Sequence, residues 1–107
     1  MPDFTDMLSK AKDMQTKMKA AQDAIKNIEV EGEAGGNLVK VTLTGDYEIK
    51  SIILSEEAKK KESREVINDL IVAAYNNAKE NLKKKSSEEL LKATGGINLP
   101  FDLKFPL

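Results

Sequence analysis

The amino-acid sequence predicts an α+β fold with a long N-terminal helix, a three-stranded antiparallel meander and a long C-terminal helix. Three observations predict it. Apolar residues recur every three or four positions up to residue 28, every second position between residues 28 and 54, and every three or four positions after residue 63. We therefore expect a single domain over residues 1–96, followed by an extended apolar tail over residues 97–107.

The first helix is predicted over residues 3–27. Asp3 can cap its start, and neither Gly nor Pro interrupts the chain between there and Gly32. Its apolar positions form a seam with heptad spacing: Phe4, Met7, Ala11, Met14, Met18, Ala21, Ile25 and Ile28. Met and Ala dominate this seam, which favours packing on another helix over an autonomous coiled coil. A stripe that covers only the core of its own chain is the alternative.

The meander is predicted from strands over residues 28–34, 38–44 and 47–54. Gly-Gly-Asn at 35–37 and Gly-Asp at 45–46 supply the two turns. The apolar residues change phase within the third strand, which predicts a β-bulge or a twisted edge. So small a sheet needs cover on its apolar face, and we expect the two long helices to provide it.

Glu29, Glu31 and Glu33 lie on one face of the first predicted strand, as the ligands of a metal or an acid–base pair would. No histidine or other convergent ligand lies near them in sequence, and Lys40 or Lys50 on adjacent strands can neutralise them. We interpret the row as a solvated outer face and expect no metal site.

The second long helix is predicted over residues 63–94. Ser55 can cap a short helical turn before it, and Ser63 can cap the long helix itself. Residues 83–89 are polar all round, so the helix either projects into solvent there or restarts at Ser86.

The tail alternates strictly between apolar and other residues. Pro100 and Pro106 cannot donate backbone hydrogen bonds, so the segment should not form an interior strand. We expect it to lie extended against a helix groove, either its own or that of a second copy, and a disordered tail is the alternative. Its apolar positions are Ile97, Leu99, Phe101, Leu103, Phe105 and Leu107.

The predicted helices are too long for the predicted sheet. A helix over residues 63–94 would measure about 48 Å, whereas strands of about eight residues measure only about 26 Å. We expect the apolar surface left over to be covered by an identical copy, giving a homodimer with projecting helical parts. The residues predicted for the dimer interface are Met7, Ala11, Met14, Met18, Val39, Val41, Leu70, Ala74 and Ala78.

The composition argues against an enzyme, a secreted protein and a membrane protein. Without histidine and cysteine the chain lacks the commonest general base, thiol nucleophiles and the commonest ligands of transition metals. No stretch approaches the roughly 18 apolar residues that span a bilayer, and the start lacks a signal-peptide pattern. We expect a cytoplasmic protein with no cofactor and no small-molecule substrate.

Two runs of sequence resemble the YbaB/EbfC family of bacterial nucleoid-associated proteins. The first contains Val30, Gly32, the Gly35-Gly36 turn, VKVT at residues 39–42 and Gly45; the second is DLIVAAYNNA at residues 69–78. The resemblance covers nearly the whole chain. It implies a tweezer-like α+β homodimer that binds DNA without chemistry, and a place in the nucleoid.

The charge pattern suggests where double-stranded DNA would bind. Residues 28–58 hold seven acids against two lysines, and the rest of the chain holds fifteen bases against eleven acids. Sixteen of the seventeen bases are lysines, which predicts phosphate contacts with weak readout of base sequence. The predicted DNA-binding residues are Lys10, Lys12, Lys17, Lys19, Lys59, Lys60, Lys61, Arg64, Lys83, Lys84 and Lys85.

A binding protein of another class fits the same sequence. Two long helices with Met-containing seams around a small sheet could form a prefoldin-like adaptor or holdase that grips protein chains instead of phosphates. The modest net charge of −1 and the single arginine favour that alternative. The salt dependence of DNA binding separates the two.

Overall fold

The computed structural model describes residues 3–93 and confirms the α+β class. The elements follow the predicted order, and no bound differs from the predicted one by more than two residues. The extended tail predicted over residues 97–107 lies outside the described residues. The elements are α1 (Phe4–Lys26), β1 (Glu29–Ala34), β2 (Val39–Thr44), β3 (Ile49–Leu54), α2 (Glu56–Lys61) and α3 (Arg64–Ala93).

The three strands form an antiparallel sheet in the order β1-β2-β3. The first turn takes left-handed backbone at three consecutive residues, Gly35, Gly36 and Asn37, with φ of 65°, 63° and 76°. Tyr47 is also left-handed, with φ of 63°, so pairing resumes only at Ile49, two residues later than predicted. The pairing shifts by one residue opposite Thr42 and Leu43 and leaves Lys50 without a partner in β2. This irregularity confirms the predicted bulge.

The core lies between α3 and the sheet. Val39, Val41 and Leu43 of β2 are completely buried, and the side chains that cover them come from α3. Gly32 of β1 lets α3 approach closely, because a Cβ at that position would lie 2.6 Å from the Cα of Ala78. Both α3 and β1 therefore need small residues where they cross.

Four of the residues predicted for the dimer interface belong to this core instead. Val39, Val41, Ala74 and Ala78 have no exposed surface within a single chain. The prediction of a partner contact at these positions is wrong because the sequence pattern marks apolar faces without identifying what covers them. In the structure β2 and α3 cover one another.

Two asparagines bind α3 to the outer margin of β1. The backbone N–H of Glu33 donates to Asn77 Oδ1 at 3.0 Å, and Asn81 Nδ2 donates to the carbonyl of Glu31 at 2.8 Å. The four helix residues from Asn77 to Asn81 rise about 6 Å and the two strand residues from Glu33 to Glu31 span about 6.6 Å, so successive asparagines meet successive outward-facing groups of β1. Helix α3 therefore runs antiparallel to β1, and it continues past the start of β1 beside α1.

Both long helices extend well beyond the sheet. Helix α3 is continuous through residues 83–89, so it projects and does not restart at Ser86. Its start is capped by Ser63, whose Oγ accepts from the N–H of Val66 at 3.2 Å. The radius of gyration is 19.2 Å, whereas a compact chain of this length has roughly 13 Å. The elongated shape places a large part of α1 and α3 away from the core.

Candidate nucleic-acid interface

The structure divides into an arm and a head. The arm consists of α1 and the antiparallel end of α3, residues 4–26 and 79–93, and the head consists of residues 27–78. Ala21 and Ile25 of α1 are buried in the arm, as are Leu82, Ser86 and Leu90 of α3. The later part of the predicted seam, from Met14 to Ile25, thus packs against α3 of the same chain, and Met14 and Met18 are half-buried there. That arrangement is the helix-on-helix packing expected from its Met and Ala content.

The arm and the head carry opposite net charges. The arm holds ten lysines and six carboxylates, a net charge of +4, whereas the head holds five lysines, one arginine and ten carboxylates, a net charge of −4. The overall charge of −1 is therefore close to the sum of a positive arm and a negative head. The arm attracts a polyanion and the head repels it.

The four lysines predicted on α1 occupy both sides of its seam. Seven residues make almost two helical turns, so Lys10 and Lys17 lie on one side, and Lys12 and Lys19 lie on the other. All four are exposed, and none forms an ion pair within 4.0 Å with any residue of the described range 3–93. Lys26, which the sequence analysis omitted, extends the row of Lys12 and Lys19. Their charges are available to an external anion.

The run Lys83, Lys84 and Lys85 on α3 is exposed but does not form one patch. Consecutive helical residues point about 100° apart, so three of them cover about 200° of the helix circumference. A single duplex face cannot meet all three at once. Lys79 and Lys92, also omitted from the predicted set, belong to the same arm; Lys92 lies 3.6 Å from Glu89. Summing charge over each helix, instead of looking for runs, would have identified these omitted lysines.

The predicted cluster at Lys59, Lys60, Lys61 and Arg64 lies in the head. Ser55 at the start of α2 donates its N–H to Leu38, which precedes β2 at the end of the sheet farthest from the arm. Two of these lysines pair with acids of α2, Lys59 with Glu56 at 3.5 Å and Lys61 with Glu57 at 3.8 Å. From Arg64 to Lys79 the helix rises about 22 Å. The structure therefore does not bring this cluster together with the lysines of the arm.

An apolar groove lies in the head, between β3 and the flank of α3. Helix α3 covers β1 and β2 more fully than β3, which leaves Ile49 and Ile52 about half exposed on the side that faces α3. The groove is lined by Tyr47, Glu48, Ile49, Ile71, Val72 and Tyr75, and Val72 is 60% exposed. Burial raises the pKa of the Tyr47 phenol, and Tyr75 and Glu80 add to the effect. None of the residues predicted for the dimer interface lines this groove, and the half-buried Leu70 lies on the other flank of α3, beside Gly35.

The acidic row of β1 lies on the face of the sheet away from α3. Glu29 is exposed and forms an ion pair with Lys50 of β3, as the interpretation of a solvated face requires. Within residues 3–93 no group of three or more carboxylates converges as metal ligands would. In the same range no helix is long and apolar enough to cross a bilayer.

Comparison with known proteins gives one consistent result. A model of the YbaB/EbfC DNA-binding family matches residues 1–97. A nucleoid-associated protein of Rickettsia canadensis is 40% identical over 106 residues, 99% of each chain, and one of Afipia carboxidovorans is 39% identical over 100 residues, 94% of this chain and 95% of that one. The fold is similar to an uncharacterized Helicobacter pylori protein of known structure, with a TM-score of 0.68, 15% identity, and coverage of 87% of this chain and 98% of that one.

Proposed function

This chain belongs to the YbaB/EbfC DNA-binding family, and on that premise we propose that it binds double-stranded DNA as a homodimer whose arms contact phosphate groups. Its place would be the nucleoid, where such binding influences DNA organisation or gene expression. The role is one of binding and not of catalysis.

The separation of charge between arm and head is the observation that carries this proposal. Ten lysines lie on two adjacent helices, while the ten carboxylates of the head would repel a duplex brought near the sheet. The DNA contacts therefore belong to α1 and the end of α3, and we remove Lys59, Lys60, Lys61 and Arg64 from the proposed contact set. Lys26 takes their place beside Lys12 and Lys19.

The type of base determines the kind of recognition. Lysine is a compact point charge that binds phosphate, and it lacks the planar fork with which arginine reads guanine edges. The arm has ten lysines and no arginine. Binding should therefore depend strongly on salt and weakly on base sequence.

A second copy of this chain is the proposed occupant of the groove between β3 and α3. Val72, Ile49 and Ile52 form an uncovered apolar surface in the head, the part of the molecule that DNA would avoid. Two heads that meet there would cover this surface and leave both arms free. Dimerisation would also double the number of lysines presented to one duplex.

A salt series on random-sequence duplex DNA tests the proposal. The variant Lys12→Gln/Lys19→Gln/Lys26→Gln removes one row of the arm, and Lys59→Gln/Lys60→Gln/Lys61→Gln is the control with the same change of charge in the head. If each of the three arm lysines contacts one phosphate in both protomers, the slope of log K against log salt falls in magnitude by about five. The head variant should keep the slope of the unmodified protein.

Two outcomes would contradict the proposal. If both variants lost affinity equally, net charge alone would matter and the arm would have no special role. If DNA binding were absent while unfolded polypeptides were captured in a salt-insensitive manner, the adaptor or holdase alternative would replace it.

A further inference from the structure

The apolar seam of α1 continues beyond the part that α3 covers. Every residue of α1 before Met14 is exposed, whereas Met14 and Met18 are half-buried and Ala21 and Ile25 are buried, so α3 covers α1 only back to about Met14. About 15 Å of α1, from Met14 to Phe4, lies beyond that point. Phe4 is 73% exposed, Met7 59% and Leu8 49%, whereas Met14 and Met18 on the same seam are half-buried. The tip of the arm thus has a large apolar face with no cover among residues 3–93.

The direction of the chain identifies what can cover this face. Helix α3 runs toward the start of α1, so Ala93, its last residue, is the part of α3 nearest to the uncovered part of the seam. Residue 97 lies four positions further, a distance of up to about 13 Å in an extended chain. No reversal of the chain is needed to bring the tail onto the seam.

The tail has the pattern that this face requires. Alternate residues of an extended chain project on the same side about 6.6 Å apart, close to the 5.4 Å that separates successive turns of α1. Ile97, Leu99 and Phe101 have that spacing. Three such side chains span about 13 Å, slightly more than the length of α1 from Ala11 to Phe4, about 10 Å.

We propose that residues 97–101 bind in an extended form along the uncovered seam of α1 in the same chain, over Phe4, Met7, Leu8 and Ala11. This assigns Met7 and Ala11, which the sequence analysis placed in a dimer interface, to a contact within one protomer. The inference does not depend on DNA binding. It follows from the uncovered face, the end of α3 beside it and the alternation of the tail.

Disulfide trapping tests this contact, because the chain has no cysteine of its own. One variant carries Met7→Cys and Leu99→Cys, and the matched control carries Ser9→Cys and Leu99→Cys. Ser9 lies on the same turn of α1 but on the side opposite the seam. Mild oxidation of an equal mixture of isotopically light and heavy protein, followed by mass spectrometry, separates disulfides within one chain from those between two chains.

We expect the pair at 7 and 99 to form within one chain about tenfold faster than the pair at 9 and 99, because docking raises the local concentration of one thiol near the other. Equal rates for the two pairs would overturn the proposal in favour of an unattached tail. Disulfides that join light to heavy chains would overturn it in favour of the seam as a contact between copies.

Hydrogen exchange gives a second measurement that introduces no cysteine. Removal of residues 97–107 should increase amide exchange in residues 5–12 of α1 while residues 21–26, which α3 covers, stay as protected as before. Exchange that is unchanged throughout α1 would also overturn the proposal.

Discussion

Gly32→Ala is the substitution whose effect follows most directly from the structure. Gly32 has ordinary extended backbone, so alanine there has no conformational cost. Its Cβ, however, would lie 2.6 Å from the Cα of Ala78 and closer still to the backbone of Ala74. Both neighbours are main-chain atoms of a helix, which cannot give way by changing a rotamer. Helix α3 would have to move away from β1.

The size of the effect follows from that movement. Restoring an ordinary contact of about 3.4 Å needs a shift of at least about 0.8 Å, which would lengthen the Asn77 and Asn81 hydrogen bonds from 3.0 and 2.8 Å to beyond 3.5 Å. Overpacking costs about 1–3 kcal/mol and each lost hydrogen bond about 1 kcal/mol. We therefore expect the free energy of unfolding to fall by about 3–5 kcal/mol and Tm to fall by about 15–25 °C.

Thermal and urea unfolding, followed by circular dichroism, measure this change. Gly36→Ala is the control, because Gly36 has φ of 63° and no atom within 4 Å of the added Cβ. Gly36→Ala should lower the free energy of unfolding by about 1 kcal/mol, because alanine is strained in left-handed backbone. The added Cβ itself should cause no clash. The close packing of α3 on β1 would be refuted if the free energy of unfolding of Gly32→Ala were within about 1 kcal/mol of that of the unmodified protein. It would also be refuted if Gly36→Ala lost more stability than Gly32→Ala.

Two further predictions concern the groove in the head. Val72→Asp places a charge on the proposed contact with a second copy, so sedimentation equilibrium should give half the mass of the unmodified protein. Ile53→Asp, an equally exposed position on the opposite face of the sheet, should leave the mass unchanged, and the same mass for both variants would contradict that interface. Because burial raises the pKa of Tyr47 in the folded state, its contribution to stability is complete below the ordinary value of about 10 and is lost as pH rises further. Urea unfolding should therefore lose more stability between pH 8 and pH 11 in the unmodified protein than in Tyr47→Phe, and equal losses would contradict the assignment.

The order of the elements could be predicted from the sequence because each one depends on local chemistry. The change of apolar period located the strands, Ser63 marked the start of α3, and the phase change in the third strand located the bulge. Tyr47 is the exception. Its left-handed backbone shortens β3 by two residues, and nothing in the sequence distinguishes a tyrosine in that conformation from one in a strand.

The relative placement of helix and sheet could not be predicted in the same way. An apolar stripe shows that a face is covered, but not by what, so Val39 and Ala74 were assigned to a partner although they cover one another within one chain. The DNA-binding lysines were chosen as runs along the chain for the same reason. The structure shows which end of α3 packs against α1. That contact places Lys12 and Lys85 in one arm and Lys60 at the opposite end of the molecule.

The asparagines that attach α3 to β1 also limit how the protein can assemble. They occupy outward-facing hydrogen-bonding groups on one margin of the sheet, so within residues 3–93 strand addition can take place only at the β3 margin. A molecule with one adhesive margin behaves like a monofunctional reagent in polymer chemistry. It can join one neighbour through β3, and the blocked β1 margin then leaves no second site for growth. The sheet therefore avoids extending into a fibril.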